Sequence, residues 1–184
     1  MKLFWTGTDS LMLLDYSMRP FRKKVYWQLF RWFIKRFEIF VQEHYCDSQN
    51  IADNLRRFGL KRQIRVVPDR IDERKYDKIP HKGFNVLYYF PYKGDKRFIE
   101  WLYGYDIFLQ VRERFPDLNY IIVDGTYDMS WIYPVTDFMI RCNRHDGASR
   151  IRQECDLNDI PYYWSQTDPD LNKIIDALQE AYTI

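Results

Sequence analysis

From residue 85 onward, short apolar runs alternate with longer amphipathic stretches, and this restricts the fold more than any other feature of the 184-residue chain. Asn85-Val86-Leu87-Tyr88-Tyr89-Phe90 reads as a strand covered on both faces, because its apolar run is nearly unbroken. A helix is expected over residues 104–115, then a strand at Tyr120-Ile121-Ile122-Val123 that ends on Asp124-Gly125. Phe138-Met139-Ile140-Arg141 gives a third strand, followed by a polar loop and a helix running to residue 158. Pro161-Tyr162-Tyr163-Trp164 is a fourth strand, and residues 170–182 a closing helix. Strands separated by helices pair in parallel, with helices on both sheet faces. Ligands of such sheets bind beyond the carboxyl ends of the strands.

The first part of the chain is less regular. Leu3-Phe4-Trp5 reads as a short strand running into the loop Thr6-Gly7-Thr8-Asp9. Residues 22–40 suit one long helix, in which Tyr26, Phe30, Phe33 and Phe37 recur at helical spacing while Lys24, Gln28, Arg31 and Lys35 fall on another face. A second helix fits residues 48–58, with Ser48 as N-cap and Gly59 as the C-terminal stop. Gln63-Ile64-Arg65-Val66-Val67 is a strand closed by Pro68. The polar stretch 71–83, with Pro80 and Gly83, reads as a linker between a lobe at 1–70 and a lobe at 84–184.

Charge narrows the function. The net charge of +2 excludes the global basic field of a dedicated nucleic-acid binder. Yet residues 16–37 carry seven cations (Arg19, Arg22, Lys23, Lys24, Arg31, Lys35, Arg36) and no acid. Three uses of this helix stand side by side: its aromatic stripe enters the core, it lies on an anionic membrane surface, or it forms a homodimer interface. Cys46, Cys142 and Cys155 show no metal-ligand or redox spacing, which favours a reduced, cytoplasmic setting, at the inner face of a membrane if the helix docks there. The opening residues meet Thr6, Gly7 and Asp9 too soon for a secretory leader, and no apolar window is long enough to span a bilayer.

The chemistry concentrates in Arg144-His145-Asp146-Gly147-Ala148-Ser149, running on to Glu154. A strand delivers a polar loop, glycine permits close backbone approach, and small residues open a helix. Its first N–H groups and its dipole favour a diphosphate. Glu154 falls in the second turn, so Asp146 and Glu154 are expected to face one ligand as acceptors for sugar and ribose hydroxyls. Asp168-Pro169-Asp170 matches a metal-binding spacing but precedes the closing helix, where a capping role is expected.

Arg144-His145-Asp146-Gly147, the spacing from Asp146 to Glu154 and Ile160-Pro161-Tyr162 resemble the donor-binding lobe of GT-B glycosyltransferases, family 4 in particular. Thr6-Gly7-Thr8-Asp9, residues 47–59 and Arg65-Val66-Val67-Pro68 are similar to the late N-terminal lobe of that family. Asp159 stands where the family pattern has glycine, and Asp tolerates the left-handed cap such a position demands. The resemblance implies an α/β fold of GT-B type, with a Rossmann-type parallel sheet in the C-terminal lobe and a reduced N-terminal α/β lobe. It implies transfer of a hexose from a UDP- or GDP-sugar to an acceptor, with retention, without metal or separate cofactor. Asp146, with His145 beside it, would contact the transferred sugar and Glu154 the ribose. Gly147, Ala148 and Ser149 would hold the diphosphate, with Arg144, Lys93, Lys96 and Arg97 as counter-charge. Gly7, Thr8 and Asp9 would lie on the acceptor side, where membrane docking would suit a lipid-linked acceptor. The alternative is a non-catalytic module of the same fold that docks on a membrane surface or a partner protein.

Overall fold

In the computed structural model of the chain, the described residues are 1–5, 12–14, 21–67, 71, 73–92, 94–146, 149–165 and 167–183. They divide into two compact units, Met1–Arg70 and Ile71–Ile184. Gly7, Thr8, Asp9, Lys93, Gly147 and Ala148, all site residues expected from the sequence, lie outside the described residues.

The first unit runs β1 (Lys2–Trp5), α1 (Phe21–Phe37), β2 (Glu43–Cys46), α2 (Gln49–Phe58) and β3 (Gln63–Val66). Its sheet is parallel in the order β1-β2-β3, with Leu3 beside His44 and His44 beside Ile64. The core gathers Trp5, Ile34, Cys46, Ile51, Leu55 and Phe58. α2 has the ends its sequence requires: the Ser48 hydroxyl accepts from the Ile51 N–H at 3.4 Å, and Gly59 closes the helix at φ 99°. α1 stops at Phe37 and tightens into a 3-10 turn at Glu38–Phe40, shorter than the helix expected over 22–40. β2 is not apparent in the sequence. Four residues, Glu43-His44-Tyr45-Cys46, are too few to establish alternation, and the inward His44 looks polar. His44 is buried because Trp5 Nε1 donates to its Nδ1 at 3.0 Å.

The second unit runs β4 (Asn85–Tyr89), α3 (Lys96–Leu102), α4 (Tyr105–Arg114), β5 (Asn119–Val123), β6 (Phe138–Arg141), α5 (Arg150–Leu157), β7 (Tyr162–Trp164) and α6 (Leu171–Thr183). The strands are parallel in the order β5-β4-β6-β7. This Rossmann-type sheet, preceded by a smaller parallel α/β unit, is the fold class expected. Side chains alternate across the sheet. Val86, Phe138 and Ile140 pack with Val111 of α4 and with Ile174 and Leu178 of α6. Leu87 and Met139 point the other way, onto Ile151 and Cys155 of α5. Each such fully buried aliphatic side chain contributes about 1.5–3 kcal/mol.

Three local features set the loops around this sheet. α3 was not evident in the charged run after Pro91; the Asp95 carboxylate starts it by accepting from the Phe98 N–H at 3.3 Å. Gly104, at φ 64° between α3 and α4, passes the end of β6 so closely that a Cβ there would stand 2.1 Å from the Cys142 carbonyl oxygen. Asp159, at φ 52°, is the one non-glycine residue with positive φ among the described residues, so an aspartate does hold the left-handed position after α5. Asp170 acts as a cap: its Oδ1 accepts from the N–H groups of Asn172 at 3.0 Å and Lys173 at 3.3 Å.

The polar stretch before β4 has no regular structure but is tied to the second unit. The Tyr76 N–H donates to Asn158 Oδ1 at 2.8 Å, the Ile79 N–H to the Pro134 carbonyl at 2.9 Å, and the Lys78 ammonium to the Thr136 carbonyl. Among the described residues, no helix is long and apolar enough to cross a membrane.

Candidate functional site

The chain goes from β4 outward to β5, then crosses back to lay β6 on the other side of β4. Between the carboxyl ends of β4 and β6 the connections part in opposite directions and leave a crevice. A cavity of about 390 Å³ occupies that place. Tyr89 enters it from the end of β4, Gly125 from the loop after β5, and Arg141 from the end of β6. Ser149, Arg150, Ile151 and Glu154 line it from the start of α5, and Tyr103, Tyr127, Met129 and Tyr133 complete the wall.

Strand periodicity explains the two residues at the mouth. Leu87 and Met139 face α5, so Tyr89 and Arg141, each two residues further on, emerge on the same side where the sheet ends. Arg141 Cζ lies 5.6 Å from the centre of the Tyr89 ring. Its guanidinium is held from behind by Asp146: Nε donates to Oδ2 at 2.5 Å and Nη2 to Oδ1 at 2.9 Å. Trp164 Nε1 donates to the same Oδ2 at 3.0 Å from the edge of its indole, and Arg152 lies over the ring, with Cζ 4.7 Å from its centre. Arg141 and Asp146 are 11% and 10% exposed, so the pair is nearly dry. Burial works against the guanidinium charge, but the hydrogen bonds and charge of Asp146 outweigh it and hold the Arg141 pKa above its ordinary value. The result is a fixed cation at the floor of the cavity.

The α5 side supplies hydrogen-bonding groups. The Ser149 hydroxyl caps the helix by accepting from the Arg152 N–H at 3.3 Å, and its carbonyl accepts from the Gln153 N–H at 3.2 Å. The helix begins at the cavity, so its positive end is aimed there. Glu154, one turn further, accepts a hydrogen bond from the Tyr133 hydroxyl. Burial, reinforced by that bond to Glu154, pushes the Tyr133 phenol well above its usual range, and burial pushes Tyr103 up to about 12. Both phenols therefore stay protonated as donors at neutral pH.

The expected site residues separate into three groups. Ser149 and Glu154 line the cavity. Asp146 is expected to offer its carboxylate to a ligand; its oxygens accept from Arg141 and Trp164, and the residue stands behind the cavity wall, where it holds Arg141. Arg144 turns away. Its guanidinium donates to Asp106 at 2.7 and 2.8 Å and to the Trp101 carbonyl at 2.7 Å, which ties the loop to the start of α4 and lowers the Asp106 pKa. His145 is half-buried and is not in the cavity wall. Lys96 pairs with Glu100 at 3.7 Å and Arg97 is exposed; neither lines the cavity.

The residues that sequence reading passed over are Arg141 and the tyrosines. For Arg141 a usable signal exists: an apolar run that closes on Arg at a strand's carboxyl end. The tyrosines come from three separate segments, the end of β4, the turn after α3 and the β5–β6 connection, so no local pattern could collect them.

No protein-family model and no curated protein sequence matches the chain. Among solved structures it is similar to one described as the crystal structure of a GtfA/B complex, at 16% identity and a TM-score of 0.49, covering 80% of this chain and 40% of that one. A likeness of that size carries no argument about activity, and this chain spans well under half of the chain it matches.

Proposed function

We propose that the second unit binds a nucleotide diphosphate sugar at the β4–β6 crevice and that the chain transfers the hexose to an acceptor hydroxyl. The observation that carries this is the pairing, in one cavity, of a fixed cation with the amino end of α5. Arg141 is kept charged and aimed by Asp146, and the α5 N–H groups add a second positive pole. Together they suit a diphosphate. Glu154 accepts from ribose hydroxyls, and the tyrosines offer ring faces to a base or sugar and hydroxyls to its polar edge.

In the transfer, the bond from the sugar anomeric carbon to the diphosphate oxygen breaks and a bond to the acceptor oxygen forms. The acceptor proton goes to the departing diphosphate. Charge grows on that leaving group, so donors already in place lower the barrier without reorganising. Retention, the absence of a metal and a UDP- or GDP-linked donor are the finer terms of the proposal and come from the sequence resemblance. A second reading, a nucleotide-binding module without turnover, is favoured by the engagement of both Asp146 oxygens.

The test is release of nucleoside diphosphate from UDP- and GDP-hexoses in the presence of candidate acceptors, followed chromatographically. Release with one donor is expected, and its loss in Glu154→Gln, which leaves the Arg141–Asp146 pair in place. Nucleotide binding without release selects the second reading. If neither donor is consumed and neither nucleotide binds, the proposal is wrong.

A further inference from the structure

We infer that α1 is a docking surface for a lipid bilayer that carries anionic headgroups. This stands apart from the nucleotide-sugar proposal and uses none of its residues. The helix has two apolar faces where a buried helix of a small unit needs one. Phe30 and Ile34, four residues apart, turn inward: Ile34 is in the core and Phe30 packs against it, while the half-buried Trp27 meets Phe30 edge to face at 5.4 Å and the half-buried Phe37 meets Phe33 at 4.4 Å. Val25, Leu29 and Trp32 form a second face with Tyr26 and Phe33 beside them, and all five are exposed, Leu29 and Trp32 at 63% each. That outer face includes Arg22 at one end and Arg36 at the other, both exposed. Lys24, Arg31 and Lys35 run along one flank at helical spacing, where Arg31 Cζ and Lys35 Nζ lie 5.6 and 4.7 Å from the centre of the Phe58 ring, so the exposed apolar strip is framed chiefly by Arg22 and Arg36. The 3-10 turn that follows exposes Ile39 and Phe40 equally.

Charge identifies the occupant. Residues 16–37 hold seven cations and no acid. A second copy of α1 packed about a two-fold axis would bring like charges together around the apolar strip, which opposes a homodimer there. A nucleic acid would match the cations but leave Val25 and Leu29 without a partner. A bilayer surface answers both: apolar side chains enter the acyl boundary, cations meet phosphate, and Trp and Tyr sit at the headgroup level. The helix lies in the interface plane and does not span it.

The experiment uses the full chain with vesicles of phosphatidylcholine alone and vesicles of phosphatidylcholine and phosphatidylglycerol in equal parts. Co-sedimentation with the mixed vesicles only, weakened by added salt, is expected. Leu29→Ser/Trp32→Ser should lower vesicle affinity by about a hundredfold, and Arg22→Gln/Arg36→Gln by about twentyfold. Both variants change exposed positions, so the melting temperature serves as the folding control. A readout without surface-disrupting substitutions is quenching of tryptophan fluorescence by bromine-labelled acyl chains, expected in the wild type and much reduced in Trp32→Phe. Three results would overturn the inference: equal binding to neutral vesicles, no binding to either kind, or a dimer in light scattering that Leu29→Ser/Trp32→Ser makes monomeric while vesicle binding is absent.

Discussion

Replacing Asp146 with Asn removes the counter-charge from a guanidinium that is only 11% exposed. Breaking a buried pair by removing one partner costs about 3–5 kcal/mol, because the remaining charge is stranded out of water, whereas an exposed pair costs less than about 1 kcal/mol. The bidentate contact and the added Trp164 donor place this pair in the first class. Arg141→Met should cost a comparable amount. The double variant, with neither charge present, should be more stable than the sum of the singles by about 2 kcal/mol or more. Native-state hydrogen exchange at the β6 amides reads the opening of the second unit by itself. Each single variant should exchange about two to four orders of magnitude faster there, and the double should recover part of that. Additive effects, or a change under about threefold in Asp146→Asn, would show that the pair is not the fixed cation support described above.

Other perturbations follow from the same structure. Gly104→Ala combines a left-handed backbone with a Cβ driven against Cys142, so a loss of about 2–5 kcal/mol in urea unfolding is expected. Asp159→Gly should raise stability by a few tenths to about 1 kcal/mol, since it relieves a left-handed aspartate and sacrifices only an exposed pair with Lys75. Tyr103, whose folded pKa is raised from 10.0 to about 12 by burial, keeps its proton longer in the folded state. Its contribution is therefore present below pH 10 and lost as pH rises toward 12, and Tyr103→Phe should flatten alkaline unfolding in that window.

Much of the fold was legible because it rests on patterns within a few residues. The buried run of β4, the Ser48 cap and the Gly59 stop each need only local sequence, while the left-handed position of Asp159 is indicated by the glycine that the resembling family has there. β2 escapes because its cue is tertiary, His44 being buried only where Trp5 meets it, whereas α3 has a local cap, Asp95, hidden inside a charged run. The Tyr26/Phe30/Phe33/Phe37 stripe was read as one face. In the structure Phe30 packs on the core while Tyr26 and Phe33 are exposed, because α1 carries apolar residues on two faces and spacing alone does not say which turns inward.

The site divides in the same way. Ser149 and Glu154 follow from the loop-to-helix pattern, since a cap and a second-turn acid are set by position along one helix. Asp146 stands out in the sequence, but its partners do not: Arg141 lies on the preceding strand and Trp164 on the next one, and only parallel pairing brings them together. Arg144 had an equally plausible place in the cavity, and Asp106 draws it away.

The most direct measurement is the change in backbone amide chemical shifts when UDP or GDP is added to the isotope-labelled chain. One nucleotide should shift Ser149, Arg150 and Ile151 at the start of α5, with Tyr89 and Arg141 at the strand ends, and leave the first unit's sheet unmoved. Saturating nucleotide with no shift at these five residues, or shifts confined to other surfaces, would contradict a diphosphate site at the β4–β6 crevice.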